Sequence, residues 1–109
     1  MAISLLKSLQ AMVRQIPDKE TVTYAERTPA EDYAAGVNFE ARHDPIASVD
    51  VNGLAKKWTT WHLYATNSQT VTPRRLGRIT DASGRKWHVE SALSSFGGLK
   101  HDCVCVLEV

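Results

Sequence analysis

The sequence predicts an α+β fold in which strand dominates: a small antiparallel β-barrel or sandwich with an N-terminal helix. Three observations lead there. Apolar residues at helical spacing occupy only the first seventeen positions. Beyond Pro17, short runs of β-branched and aromatic residues alternate with polar ones, the two-residue period of half-buried strands. The runs are separated by compact turn signals such as Asn52-Gly53 and Asp81-Ala-Ser-Gly84, which suit hairpins and are too short for parallel crossovers. At 109 residues, the chain is expected to form a single domain. A helix lies within 1–17 and a barrel or sandwich within 20–109, with long loops near 27–36 and 66–76.

From Ile3 to Ile16, apolar side chains at 5, 6, 9, 12, 13 and 16 form one helical stripe. Ser4 is placed to cap the start and Pro17 to end it. Val22 and Tyr24 share a face of a first strand over Glu20–Glu26. Thr28-Pro-Ala-Glu31 matches a capped helix start, so 27–36 is expected to be a loop with one helical turn. Val37, Phe39 and Ala41 define a second strand, and Ile46 to Val51 a third, joined through Asn52-Gly53 to Leu54–Ala65. That aromatic run has Trp58, His62 and Tyr64 on one face and Trp61 and Leu63 on the other. It is expected to be a central strand covered on both sides. Thr66–Thr72, closed by Pro73, is polar and is expected to be exposed or mobile. Arg78–Thr80 and Arg85–Ser91 flank the Asp81–Gly84 turn as the firmest hairpin. Ser94, Ser95, Gly97 and Gly98 mark the next turn, and His101–Leu107 the last strand. Trp87, Val89, Val104 and Val106 are expected in the core, together with one of Trp58 and Trp61.

Thirteen Lys and Arg against twelve Asp and Glu leave a net charge of +1, so no global field draws the chain to nucleic acid or an anionic membrane. The N-terminal stripe is interrupted by Lys7, Gln10, Arg14 and Gln15, unlike a signal core or membrane span. A cytosolic protein without membrane contact is expected. Cys103 and Cys105 stand two apart on one strand face, a spacing that strains a disulfide. They are expected to be reduced and to pack as small hydrophobes.

Chemistry-bearing residues are sparse. His43, His62, His88 and His101 with Asp44, Asp102, Cys103 and Cys105 raise a zinc hypothesis, with His101, Cys103 and Cys105 on one face. A Cys-x-Cys on a flat strand is not a zinc knuckle, and no metal or cofactor is expected. The chain has no Gly-x-Ser-x-Gly elbow, phosphate-binding glycine loop or His-Glu-x-x-His, and it is not expected to be an enzyme. Arg74, Arg75, Arg78, Arg85 and Lys86 place five basic residues in thirteen positions. They suit either sequence-independent phosphate contacts or a solvated hairpin edge whose charge discourages aggregation.

The order Pro73, Arg74, Arg75, Gly77, Ile79, Asp81, Gly84, Trp87, Val89 and then His101–Leu107 resembles the C-terminal half of small head-tail joining and head-closure proteins of tailed phages. The resemblance covers about forty residues. It departs from the family pattern at Leu76-Gly77-Arg78, where a Gly-Asp pair often precedes the strand. It implies a virion protein, made in the host cytoplasm, that forms a ring at the head-tail junction. Its expected partners are copies of itself, neighbouring portal, adaptor or tail proteins, and packaged DNA. The Arg74–Lys86 cluster would face the channel or an interface, and Thr66, Asn67, Ser68, Gln69 and Thr70 would form a subunit-interface loop. The alternative from the residues alone is a nucleic-acid-binding small β-barrel, with the arginines on phosphates and Trp58, Trp61, Tyr64 or Trp87 as stacking platforms.

Overall fold

The computed structural model describes residues 4–67 and 69–108, so the expectations placed on Ile3 and Ser68 lie outside the described residues. Helix α1 spans Leu5–Val13, and the Ser4 side chain accepts a hydrogen bond from the Lys7 backbone N–H. It ends before Pro17 because the chain tightens first, Gln15 N bonding Met12 O and Ile16 N bonding Val13 O. Seven strands follow: β1 Glu20–Ala25, β2 Val37–His43, β3 Ala47–Val51, β4 Leu54–Tyr64, β5 Arg78–Thr80, β6 Lys86–Ser95 and β7 Lys100–Leu107. All the pairings between them are antiparallel.

Six strands close on themselves in the order β1, β2, β4, β7, β6, β5 and back to β1. The architecture is a barrel, not a sandwich. Closure rests on β2 meeting β4, with Glu40 opposite Tyr64 and His43 opposite Trp61. Inside, alternation delivers Val22, Tyr24, Phe39, Ala41, Trp61, Leu63, Ile79, Trp87, Val89, Cys103 and Cys105. Trp61 and Trp87 meet edge to face at 6.2 Å between ring centroids, the geometry that aromatic quadrupoles favour. Leu9 and Val13 of α1 cover Tyr64 outside the barrel, with Ile16, Phe96 and Leu99 beside them.

Several sequence expectations are corrected. Val104 is 38% exposed and Val106 only half-buried, because β7 turns His101, Cys103 and Cys105 inward. Segment 27–36 has no helical turn. A backbone bridge between Arg27 and Tyr33, and Glu31 N bonding Thr28 O, close it as a compact loop. Strand β4 is not covered on both faces: Leu54–Lys57 is exposed and pairs only with β3, so β3 and the start of β4 form an arm. Thr66 is not exposed: it is 6% accessible, and its carbonyl accepts from Gln10 Nε2 of α1 at 2.6 Å. Gln69 Nε2 donates to Asn38 O, while Asn67 and Thr70 are exposed. The strand expected to end at Ser91 runs on to Ser95 through an irregularity between Val89 and Ser91, which shifts the register and swings the strand's end off the core.

Candidate functional site

The β5–β6 hairpin and the segment leading into it carry the basic residues. Asp81 anchors the hairpin. Its buried carboxylate accepts from Ser83 N and Arg85 N, each at 2.9 Å, from Arg85 Nε at 2.8 Å and from Trp87 Nε1 at 3.1 Å. Burial alone would push this carboxyl up, but the bonds from Trp87 and Arg85 outweigh it and hold it below the usual carboxylate range. Arg85 is thereby committed to the turn. Gly77 in the lead-in has a different constraint: a Cβ there would lie 2.4 Å from the Tyr24 ring. The Tyr24 hydroxyl accepts from Arg74 N at 3.1 Å, and burial is the main cause pushing its phenol up.

Two of the other four basic side chains are also engaged. Arg78 donates to both Glu108 oxygens, at 2.9 and 3.4 Å, and stacks on Tyr33 at 3.9 Å, with Arg27 near the same ring at 5.7 Å. Arg74 Nε lies 2.6 Å from Glu26 Oε1, a close ion pair bent away from hydrogen-bond geometry, and the Arg74 side chain is 71% exposed. Arg75 and Lys86 are exposed and have no carboxylate partner among the described residues. Arg78, Arg85, Lys86, Leu107 and Glu108 line an open cleft of about 370 Å³. The five basic residues thus divide between three engaged in ion pairs and two exposed cations, Arg75 and Lys86, of which Lys86 lines the cleft.

A second polar cluster was only half visible in sequence. On the outside of the barrel, His62 of β4 sits between two carboxylates, with Nδ1 2.6 Å from Asp102 Oδ1 and Nε2 2.9 Å from Asp44 Oδ1. Arg42 reaches Asp44 at 3.3 Å and Lys100 reaches Asp102 at 3.3 Å. Burial pushes Asp102 up, but the bonds from His62 and Lys100 hold it below the usual range. The cluster ties β2, β4 and β7 together where the barrel closes. Its signal was the outward register of His62 and Asp102, legible only once β4 and β7 are known to pair.

The residues of the zinc hypothesis divide across the barrel wall. His101 points inward with Cys103 and Cys105, whereas His62, Asp44 and Asp102 lie outside. Among the described residues, no three of these side chains are arranged to hold a metal ion. His101 Nδ1 pairs with Ser94 Oγ at 2.7 Å, its ring meets Phe39 edge to face, and burial pulls its pKa down. Both cysteines are free thiols. Burial pushes Cys103 up to about 12 and Cys105 higher than its ordinary value as well. These thiols are core atoms, poor nucleophiles at neutral pH.

Among the described residues, no helix is long and apolar enough to cross a membrane. Fold and surface define a small closed antiparallel barrel with a capping helix, a projecting arm and a braced basic hairpin. No protein family matches the chain, and no curated protein matches it.

Proposed function

We propose that this chain is a structural protein of the head-to-tail junction of a tailed phage or prophage, assembling as part of a connector ring that lines or closes the DNA channel. The observation that carries this reading is the fit between the resembling residues and their places in the barrel. Arg74 and Arg75 precede the close packing of Gly77 on Tyr24, Asp81 organises the turn, Trp87 and Val89 fill the core, and β7 completes the wall between β4 and β6. The arm and the loop 26–36 supply surfaces for neighbouring subunits, whether further copies or portal, adaptor or tail proteins. Arg75 and Lys86 supply charge for packaged DNA, read through its phosphates without sequence preference.

The test is a particle assay. Deleting the gene from the phage or prophage that encodes the chain is expected to leave DNA-filled heads and unattached tails, with infectivity restored by the purified protein. Replacing Arg75 and Lys86 together by Ala is expected to leave the fold intact and lower particle completion. Normal yield from the deletion refutes the proposal, and normal yield from the double variant refutes the role of those two cations. The alternative of a nucleic-acid-binding barrel draws less support. Trp61 and Trp87 are sealed inside, which leaves Trp58 half-buried as a stacking surface. Tight, steeply salt-dependent binding of short DNA by the monomer would favour that alternative.

A further inference from the structure

The β3–β4 arm is built like one half of a contact. Beyond Trp58 it consists, among the described residues, of two strands whose outer edges lack a partner strand; an isolated two-stranded hairpin is marginal in water, and open edges invite pairing. Leu54, Lys56 and Trp58 alternate onto one face of β4, and Val49 stands opposite Lys56. Leu54 is 66% and Val49 44% exposed. The apolar character continues onto the barrel wall, where Val106 lies between His88 and Trp58, and Val104 between Ser91 and Thr60. Exposed apolar residues collected on one face mark an interaction surface. Its charge on that face is positive: Lys56 is exposed and unpaired among the described residues, whereas Lys57 and Asp50 lie on the opposite face.

The complementary surface lies on the same chain at the other end of the barrel. Loop 26–36 joins the end of β1 to the start of β2. Because β2 runs antiparallel to β4 with Glu40 opposite Tyr64, Val37 and this loop lie past the end of β4, whereas the arm contains its start. The molecule is 56 Å along its longest axis. At the loop tip Pro29, Ala30, Glu31 and Asp32 are all exposed, and neither acid forms an ion pair among the described residues. Two small apolar side chains followed by two acids match Val49 and Leu54 beside Lys56.

We propose that the β3–β4 arm docks on loop 26–36 of a second copy of this chain, Pro29 and Ala30 against Val49 and Leu54, and Glu31 and Asp32 against Lys56. The two patches are different surfaces at opposite ends of one subunit, and with subunits arranged in the same sense the contact is heterologous. It repeats head to tail and gives a ring where the rotation closes. This rests on the ring reading above and names the surfaces that would make it.

The experiment places Lys56→Cys and Glu31→Cys in one chain and oxidises it under native conditions, alongside each single variant. The buried native thiols do not compete. The pair is expected to give a covalent ladder of dimers, trimers and higher species, and each single variant at most dimers. In sedimentation velocity over a concentration series, the wild type is expected to associate more weakly in high salt. Reversing Lys56 to Glu, or Glu31 and Asp32 to Lys, is expected to weaken association by about tenfold or more, and an equimolar mixture of the two variants to recover it. Association of the wild type without a ladder, or without sensitivity to reversal, overturns this contact and leaves the ring reading standing. A wild type that does not associate, with a double variant that does not cross-link, overturns the contact as well, and the ring reading is then decided separately by the particle assay.

Discussion

Replacing Asp81 by Asn removes a buried anion while keeping nearly the same shape. Four donors converge on the native carboxylate, two from the turn backbone, one from the Arg85 guanidinium and one from the Trp87 indole. Hydrogen bonds to charged groups contribute about 1.5–3 kcal/mol each, and a buried donor left without a partner costs about 1–3 kcal/mol. An Asn side chain offers one acceptor oxygen and turns an NH2 group toward donors, so the expected loss at neutral pH is about 2–4 kcal/mol. The loss should depend on pH with a definite sign. The folded-state pKa of Asp81 is lowered, so its stabilisation is fully present above the unfolded value of about 3.9 and disappears as pH falls through the folded value. Asn does not titrate, so the gap between wild type and variant should narrow in acid. Asp102, also lowered, contributes equally to both proteins and cancels in the difference. Urea unfolding followed by tryptophan fluorescence from neutral pH into acid measures that gap. A gap below about 0.5 kcal/mol at neutral pH, the scatter of ordinary surface substitutions, would refute the reasoning, as would a gap unchanged in acid.

Two further outcomes follow from burial. Trp87→Ala is expected to cost about 3–5 kcal/mol by emptying the core, whereas Val104→Ala should cost under about 1 kcal/mol because that side chain faces out; denaturant midpoints for the two variants check the assignment of faces, and comparable losses would overturn it. Cys103 and Cys105 should resist a thiol reagent in the native protein at mildly alkaline pH and both react once it is unfolded, since burial raises both thiols; fast native labelling would show that the barrel opens.

Turns were the most legible part of the sequence, because their signals are local. Asn52 and Gly53 both take positive φ, as a tight two-residue hairpin turn demands. The Asp81–Gly84 turn depends on one carboxylate bonding backbone groups a few residues away. Loop 27–36 misled for the same reason: Thr28-Pro-Ala-Glu31 has the local grammar of a helix start, but the Arg27–Tyr33 bridge and the stacking of Arg78 on Tyr33 reward a closed loop instead. The candidate basic residues were found by composition, whereas their division into bracing pairs and free cations depends on Glu26, Asp81 and Glu108 reaching them, two of those contacts from distant parts of the chain.

By itself, the sequence determined the helix, the run of antiparallel strands and where most of the turns fall, because a period of 3.6 or 2 and the backbone demands of a turn are properties of neighbouring residues. Tertiary structure alone decided which face of each strand is the inside. On β7 both faces are apolar, Cys103 and Cys105 on one and Val104 and Val106 on the other, and alternation separates two such faces without ranking them. Closure of β2 onto β4, and pairing of β4 with β7, turned the cysteines into the core and the valines outward. The same closure stopped short of Leu54–Lys57, leaving an arm whose exposed apolar face no local pattern could distinguish from a buried strand.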